Sequence, residues 1–234
     1  MTKSRRLGAA VPILAALAIM LLSQAYLINN EITKKPLTIE KLNERDTGYF
    51  YNLYLAGEPI KEGGVFIGDE GAQINLVAYL DPESDASRHF AEEIYPMLKK
   101  EYIETGAVKV YPKHYLTKDD LDRRSERHRK EKALDCVRML APEKLEAAYL
   151  DMLSNNTATG HYGIPEANFN ECLAGKDSEE MLTGVSETEQ FSIGRSNARF
   201  FIGVEGTISR KIEGIPPYAL LKRQLNEIEL SIGE

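Results

Sequence analysis

The sequence is poor in cysteine, lacks tryptophan and has no excess of positive charge. Two cysteines among 234 residues are too few for a disulfide-rich scaffold or a four-cysteine zinc site, but they suffice for one bridge. Acidic residues outnumber basic ones by 36 to 29, which gives a net charge of −7 at pH 7. Because an acidic domain is a poor general ligand for polyanions, no nucleic-acid partner is expected.

Histidine is also scarce, which bears on metal binding. The four histidines, His89, His114, His128 and His161, do not show the spacing of metal ligands. The sequence therefore predicts no metal site and no small-molecule cofactor. A hydrophobic fraction of 43% is nevertheless ordinary for a globular protein and too high for a disordered one.

Residues 1–28 are predicted to be a membrane anchor or a signal peptide. Lys3, Arg5 and Arg6 precede 22 uncharged residues, 7–28, which are enough for a helix across a hydrocarbon core of roughly 30 Å. The alternative is a leader cleaved near Ala25, because Ser23 and Ala25 are small residues suited to a signal peptidase. Basic residues stay in the cytoplasm, so either interpretation places the following domain outside it. We expect a single-pass cell-membrane protein, or a secreted or periplasmic one after cleavage.

Residues 29–64 are predicted to be a stalk or linker with one packing segment. Residues 31–41 are highly charged, whereas Tyr49, Phe50, Tyr51 and Tyr54 form an aromatic cluster that favours packing against a folded domain.

Residues 65–230 show the pattern of an α/β domain. An apolar strand at 74–80 is followed by a helical pattern at Phe90, Ile94, Met97 and Leu98, in which Pro96 predicts a kink. A strand–helix–strand start implies a parallel pair with a right-handed crossover. A largely helical block at about 115–190 is predicted to be an insertion. The expected strands are 74–80, 108–111, 200–202 and 207–213, with a last helix after Pro216-Pro217.

This order resembles the thioredoxin fold with an inserted helical subdomain, and from Gly68 to Leu225 the chain resembles the DsbA-type thiol–disulfide oxidoreductases. The tracts that carry the resemblance are Gly68-Asp69 leading into the strand 74–80, Arg88 to Leu98, Glu101 to Gly106, Phe169 to Leu173 and Gly214 to Tyr218. The resemblance implies an extracytoplasmic protein with a dithiol at a helix N-terminus.

Three positions depart from that family together. Ser84-Asp85-Ala86-Ser87 stands where the family has Cys-x-x-Cys, and Ala78 stands at the position of its buried acid. Ala198, within Asn197-Ala198-Arg199, replaces the family's cis-proline, and a non-proline cis bond costs about 3 kcal/mol, so we expect a trans bond there. A serine hydroxyl cannot form a mixed disulfide. The sequence therefore predicts a degenerate, redox-inactive site.

Several residues carry competing interpretations. Ser84 and Ser87 could act as nucleophiles, but a helix N-cap formed by Ser84 or Asp85 is favoured. Cys136 and Cys172 could be a redox switch; the resemblance favours a static bridge, because some relatives carry a second, non-catalytic one. The basic run at 123–132 could bind nucleic acid or anionic lipid, but its interleaved acids favour a solvated helix with ion pairs. Asn155 begins a glycosylation sequon, Asn155-Asn156-Thr157.

The predicted function is polypeptide binding, as a chaperone or adaptor. In active relatives a groove beside the dithiol holds extended substrate, and here its candidate residues are Asp81, Pro82, Ser84, Asp85, Asn197, Ala198 and Arg199. The alternative is a thiol–disulfide oxidoreductase that uses Cys136 and Cys172.

Overall fold

The computed structural model describes residues 51–59, 64–155, 162–191, 198–205 and 207–232. The predicted N-terminal helix, most of the predicted stalk and Asn197 lie outside these residues. Within them, no helix is both long and apolar enough to cross a membrane.

A five-stranded sheet forms the centre of the fold, with the strand order β1-β5-β4-β2-β3. The parallel pair β2–β3 confirms the predicted crossover, and the antiparallel pair β4–β5 confirms the late hairpin. β4 also pairs antiparallel with β2, and β1 with β5. The strands are β1 (Tyr51–Pro59), β2 (Ile74–Leu80), β3 (Val108–Lys113), β4 (Ala198–Val204) and β5 (Ile208–Gly214).

β2 lies between two strands and is buried along its whole length. A strand covered on both faces needs an almost continuous apolar run, and Ile-Asn-Leu-Val-Ala-Tyr-Leu supplies it. Leu76 and Ala78 face the main core with Phe90 and Phe200. Side chains alternate along a strand, so the intervening residues join an aromatic cluster on the opposite face, formed by Val77, Tyr79, Tyr111, Tyr115 and Phe201.

Helix α1 runs over 85–103 and changes its hydrogen-bonding pattern along its length. It consists of α-helical segments Asp85–His89 and Tyr95–Leu98, each followed by a π-helical segment, Phe90–Ile94 and Lys99–Ile103. Pro96 has no N–H to donate and its ring crowds the preceding turn. The widened π turn lies directly before it, and such turns are a recognised cause of helix distortion.

A helical insertion lies between β3 and β4, as predicted, and the last helix follows Pro217. The first part of the insertion contains three α-helices, which end at Arg123, Leu140 and Asn155. A left-handed residue, Arg124 (φ 48°), precedes the capping Ser125, and Pro142 opens a short 3₁₀ turn. The remaining helices are α2 (Lys118–Arg123), α3 (Glu126–Leu140), α4 (Leu145–Asn155), α5 (Glu166–Ala174), α6 (Glu179–Gln190) and α7 (Tyr218–Ile232).

Candidate functional site

Ser84 caps the N-terminus of α1, which confirms the predicted role of its side chain. Its Oγ accepts a hydrogen bond from Ala86 N at 3.2 Å, and its own N–H donates to the carbonyl of Asp81 at 3.1 Å. A capping hydroxyl satisfies one of the backbone donors that a helix start leaves open. The Ser84 oxygen is thus committed to the helix backbone.

Ser87 lies one turn further into α1 and is completely buried. Its Oγ has no hydrogen-bond partner among the described residues. A serine nucleophile needs a neighbouring base to take its proton. Among the described residues no base is hydrogen-bonded to the Ser87 hydroxyl.

The turn before α1 is fixed by Arg127 of α3. The Arg127 guanidinium donates to both carboxylate oxygens of Asp81, from Nε at 2.9 Å and from Nη2 at 3.1 Å. Asp81 Oδ1 also accepts from Glu83 N at 3.0 Å, which closes the turn locally. Lys130 Nζ, one helical turn further along α3, donates to the carbonyl of Pro82 at 3.4 Å.

The same guanidinium holds a second carboxylate. Arg127 Nη1 donates to Asp120 at 3.0 and 3.1 Å, while Asp120 forms a capping box with Thr117 at the start of α2. Burial lowers the pKa of Arg127, but its hydrogen bonds and charge interactions with Asp81 and Asp120 outweigh burial and raise that pKa. Arg127 therefore stays charged and joins the α1 turn to the insertion.

The opposite side of the site is formed by β4. Ala198 is fully buried and lies opposite Leu80 of β2, and Ala78 lies opposite Phe200. Arg199 Nη2 donates to Glu213 Oε1 at 2.5 Å. Ala78 and Ala198 thus fill the core and offer no titratable group at this edge of the sheet.

The seven groove candidates differ in their exposure. Asp81, Pro82, Ala198 and Arg199 are buried, Ser84 is half-buried and Asp85 is exposed, whereas Asn197 lies outside the described residues. A partner that approaches this edge would therefore meet Ser84 and Asp85 first.

The two cysteines form a disulfide, Cys136–Cys172, with their Cα atoms 5.9 Å apart. Cys136 lies in α3 and Cys172 in α5, so neither thiol lies at the start of α1. Cys136 is fully buried and Cys172 is half-buried. The bridge joins two helices of the insertion.

The basic run of α3 is only partly the solvated surface that its sequence predicts. Arg129 is exposed and pairs with Glu126, but Lys130 and Lys132 are buried. Lys132 Nζ donates to the carbonyl of Lys176 at 2.5 Å, and His128 Nε2 lies 3.0 Å from Asp177 Oδ1. The partners of Lys132 and His128 come from the loop after α5, a contact that local charge patterns do not reveal.

Sequence reasoning missed Arg127 and Asp120 as organising residues. The Thr117–Asp120 spacing is a capping signal that could have located the start of α2. Nothing in the sequence signals the contact between Arg127 and Asp81, 46 residues apart.

Across the described residues, no group of three or more potential metal ligands lies together.

Comparison with known proteins agrees with this architecture. The family model described as Thioredoxin matches residues 61–197, more than half of the chain. The sheet order, the crossover and the inserted helices define a thioredoxin fold with a helical insertion. The chain belongs to the thioredoxin family. No curated protein sequence matches it.

Solved structures of DsbA proteins share this fold at low sequence identity. Wolbachia pipientis alpha-DsbA1 is 13% identical, with a TM-score of 0.55 over 73% of this chain and 92% of that one. Chlamydia trachomatis DsbA is 17% identical, with a TM-score of 0.55 over 73% and 93%. Pseudomonas aeruginosa DsbA2 is 15% identical, with a TM-score of 0.53 over 71% and 94%. At these identities the likeness shows the fold alone.

Proposed function

We propose that this chain is a membrane-tethered, extracytoplasmic thioredoxin-fold protein that binds polypeptide and performs no disulfide exchange at the start of α1. One observation carries the proposal. Ser84 and Ser87 occupy the first turn of α1, while the only two cysteines are bonded to each other between α3 and α5.

The chemistry of exchange supports redox inactivity at this position. A thiolate attacks a disulfide and forms a mixed disulfide, and a helix N-terminus lowers the thiol pKa that makes the attack efficient. A hydroxyl cannot replace the sulfur, because no sulfur–sulfur bond can form. The start of α1 therefore presents a protein surface that lacks a thiol.

The accessible part of that surface is acidic and small. Glu83 and Asp85 are exposed beside Ser84. Asp85 pairs with Arg88 at 2.6 Å, and Glu83 Oε2 lies 3.4 Å from Arg127 Nη2, which two further carboxylates share. Complementary charge increases the association rate of partners. We therefore expect the bound polypeptide to carry basic residues near this turn.

Photocrosslinking tests polypeptide binding directly. A photoreactive amino acid at position 84 of the full chain, expressed in cells, should capture polypeptides, and Asp85→Lys should reduce the yield several-fold. Position 230 is the control, because Leu230 on α7 is 73% exposed. The absence of a captured polypeptide at position 84, or equal capture at both positions, would contradict the proposal.

Membrane tethering rests on the uncharged run 7–28. Alkaline carbonate extraction should leave the chain in the membrane fraction, and protease added to unlysed cells, after permeabilisation of any outer membrane, should digest residues 65–230. Mass spectrometry of the N-terminus distinguishes an anchor from cleavage near Ala25. Digestion only after cell lysis would contradict an extracytoplasmic domain.

The alternative activity, thiol–disulfide exchange through Cys136 and Cys172, would have to begin at Cys172, because Cys136 is inaccessible. A dithiol-oxidation assay on the full chain decides between this activity and the proposed redox inactivity. We expect the wild type to show no more activity than Cys136→Ala/Cys172→Ala. Activity of the wild type that disappears in Cys136→Ser would establish the alternative.

A further inference from the structure

A buried histidine lies where β3 meets the insertion, remote in sequence from the α1 turn. His114 directly follows β3, and its side chain is 1% exposed. Its Nδ1 lies 2.7 Å from Glu131 Oε2, and its Nε2 lies 3.5 Å from Asp135 Oδ1. Both carboxylates belong to α3 and are equally buried. The imidazole is therefore placed between two acids in the interior.

Both acids also organise the surrounding backbone. Glu131 Oε1 accepts from Tyr115 N at 3.0 Å, and Asp135 Oδ1 accepts from Ser178 Oγ, the N-cap of α6, at 3.0 Å. Gly184 of α6 packs so closely on His114 that an added Cβ would lie 2.6 Å from the His114 Cβ. One cluster thus connects β3, α3 and α6.

We propose that His114 is a pH-sensitive latch: its protonated form holds α3 and α6 against β3, and deprotonation weakens that contact. The proposal is independent of polypeptide binding.

The charges around His114 favour its cationic form. Arg138 of α3 is buried and pairs with Glu180 of α6; its charge also stabilises the Asp135 carboxylate and opposes protonation of His114, but Glu131 and Asp135 are the acids that face the imidazole directly. The charged and titratable groups that face the cluster are Glu131, Asp135 and Arg138 on α3, Glu180 and Glu187 on α6, Lys113 on β3 and Tyr149 on α4. Loss of the His114 proton leaves two buried carboxylates close to a neutral ring, which is unfavourable.

The direction of the pKa agrees with this geometry. Burial and the charge of Arg138 lower the pKa of His114, but the close carboxylates of Asp135 and Glu131 outweigh them, and the pKa is raised above its ordinary value of 6.5. A raised pKa stabilises the fold fully below the unfolded value, and the stabilisation is lost as pH rises through the folded value. The latch is therefore closed at mildly acidic pH and opens on the alkaline side.

Weakening of the His114 latch would also affect residues outside the cluster. Residues 127 and 130 of the same helix hold Asp81 and Pro82 before α1. If α3 loosens, this turn loses its supports. The turn at the N-terminus of α1 would then also become less stable as pH rises.

Histidine titration in the full chain, kept in mild detergent, tests the latch. Ring signals of His114 are followed by nuclear magnetic resonance in the native protein and in the same protein unfolded by urea. We expect the native signal to titrate at higher pH than the unfolded one. Titration at the same or lower pH would overturn the proposal.

Hydrogen exchange measures the consequence for the helices. Protection of α3 and α6, corrected for the intrinsic pH dependence of exchange, should fall several-fold across the His114 titration, while β2 stays protected. His114→Gln should abolish this step, and His128→Gln, which removes the pair with Asp177, should retain it. Should His114→Gln fail to fold, Asp135→Asn should move the step to lower pH. A step that is absent in the wild type, or unchanged in these His114 or Asp135 variants, would overturn the latch.

Discussion

Arg127 illustrates how one side chain organises the turn before α1. Its guanidinium joins Asp81, before α1, to Asp120, within α2. The ring of Tyr115 lies 5.4 Å from the guanidinium carbon, an additional cation–π contact. A planar guanidinium can bind two carboxylates through separate edges, which a lysine ammonium cannot reproduce.

Removal of Arg127 should destabilise the protein. Arg127→Ala leaves two buried carboxylates without their cation, and we expect the free energy of unfolding to fall by about 2 kcal/mol. Arg127→Lys should recover only part of this loss. Chemical denaturation, monitored by circular dichroism, measures both changes.

Arg129→Ala is the matched control, because Arg129 lies two positions away on α3 and is exposed to solvent. A surface ion pair of this kind contributes at most about 0.5 kcal/mol. Equal losses in the free energy of unfolding for Arg127→Ala and Arg129→Ala would contradict a structural role for the Arg127 contacts.

At the scale of secondary structure, α6 depends on a glycine that local propensity disfavours. Alanine is usually better than glycine inside a helix by about 1 kcal/mol. At Gly184, however, a new Cβ would also lie 3.1 Å from the backbone oxygen of His114. Neither this backbone atom nor the buried His114 Cβ can move away easily, so the close packing of α6 requires glycine.

Gly184→Ala should therefore lower stability despite its higher helix propensity. We expect a loss of about 1–3 kcal/mol from overpacking. Ser186→Ala on the exposed face of the same helix should change stability by less than about 0.5 kcal/mol. A stabilising effect of Gly184→Ala in thermal or denaturant unfolding would show that α6 is not packed against His114 as described.

The disulfide stabilises the insertion at the same scale. It closes a chain segment with a sequence separation of 36 residues, for which the loop-entropy model gives about 4 kcal/mol. Cys136→Ala/Cys172→Ala should lose about this much stability relative to the oxidised wild type, measured by denaturant unfolding. The reduced wild type should unfold at a similar denaturant concentration; a reduced wild type as stable as the oxidised protein would contradict the expectation.

For the whole molecule, stability should fall in acid. The pKa of Asp120 is lowered although burial raises it, because hydrogen bonds from Thr117 and Ser125 and the charge of Arg127 dominate. The pKa of Asp135 is also lowered although burial raises it, chiefly because of its interaction with His114. Carboxyls with lowered pKa values stabilise the fold above their unfolded value of 3.8, and this contribution is lost as pH falls through the folded values.

Unfolding measured from pH 5 to pH 2 should therefore show decreasing stability. Asp120→Asn should be less stable than the wild type at pH 5 and should lose less on acidification, because one titrating group is gone. Parallel pH profiles for the two proteins would contradict the assigned role of Asp120.

Much of the architecture was predictable from local patterns. The apolar run 74–80 became β2 with the same bounds, and the strand–helix–strand order correctly implied a parallel pair. Ser84 was recognisable as a cap because it stands directly before a helical pattern. The edge strand Tyr51–Pro59 was anticipated only as a packing segment, because its pairing with β5 joins residues about 160 positions apart.

Sequence alone determined the chemical inventory of this protein: two cysteines, serines at the start of α1, and an uncharged N-terminal run. It also determined the order of strands β2 to β5 and of the helical regions, but not the edge strand β1, since propensity and periodicity act over a few neighbouring residues. Only the tertiary structure decided that Arg127 binds Asp81, that Lys130 and Lys132 are buried, and that His114 lies between two acids. These contacts join residues from separate helices and strands, and their energies depend on burial, which no local stretch of sequence specifies.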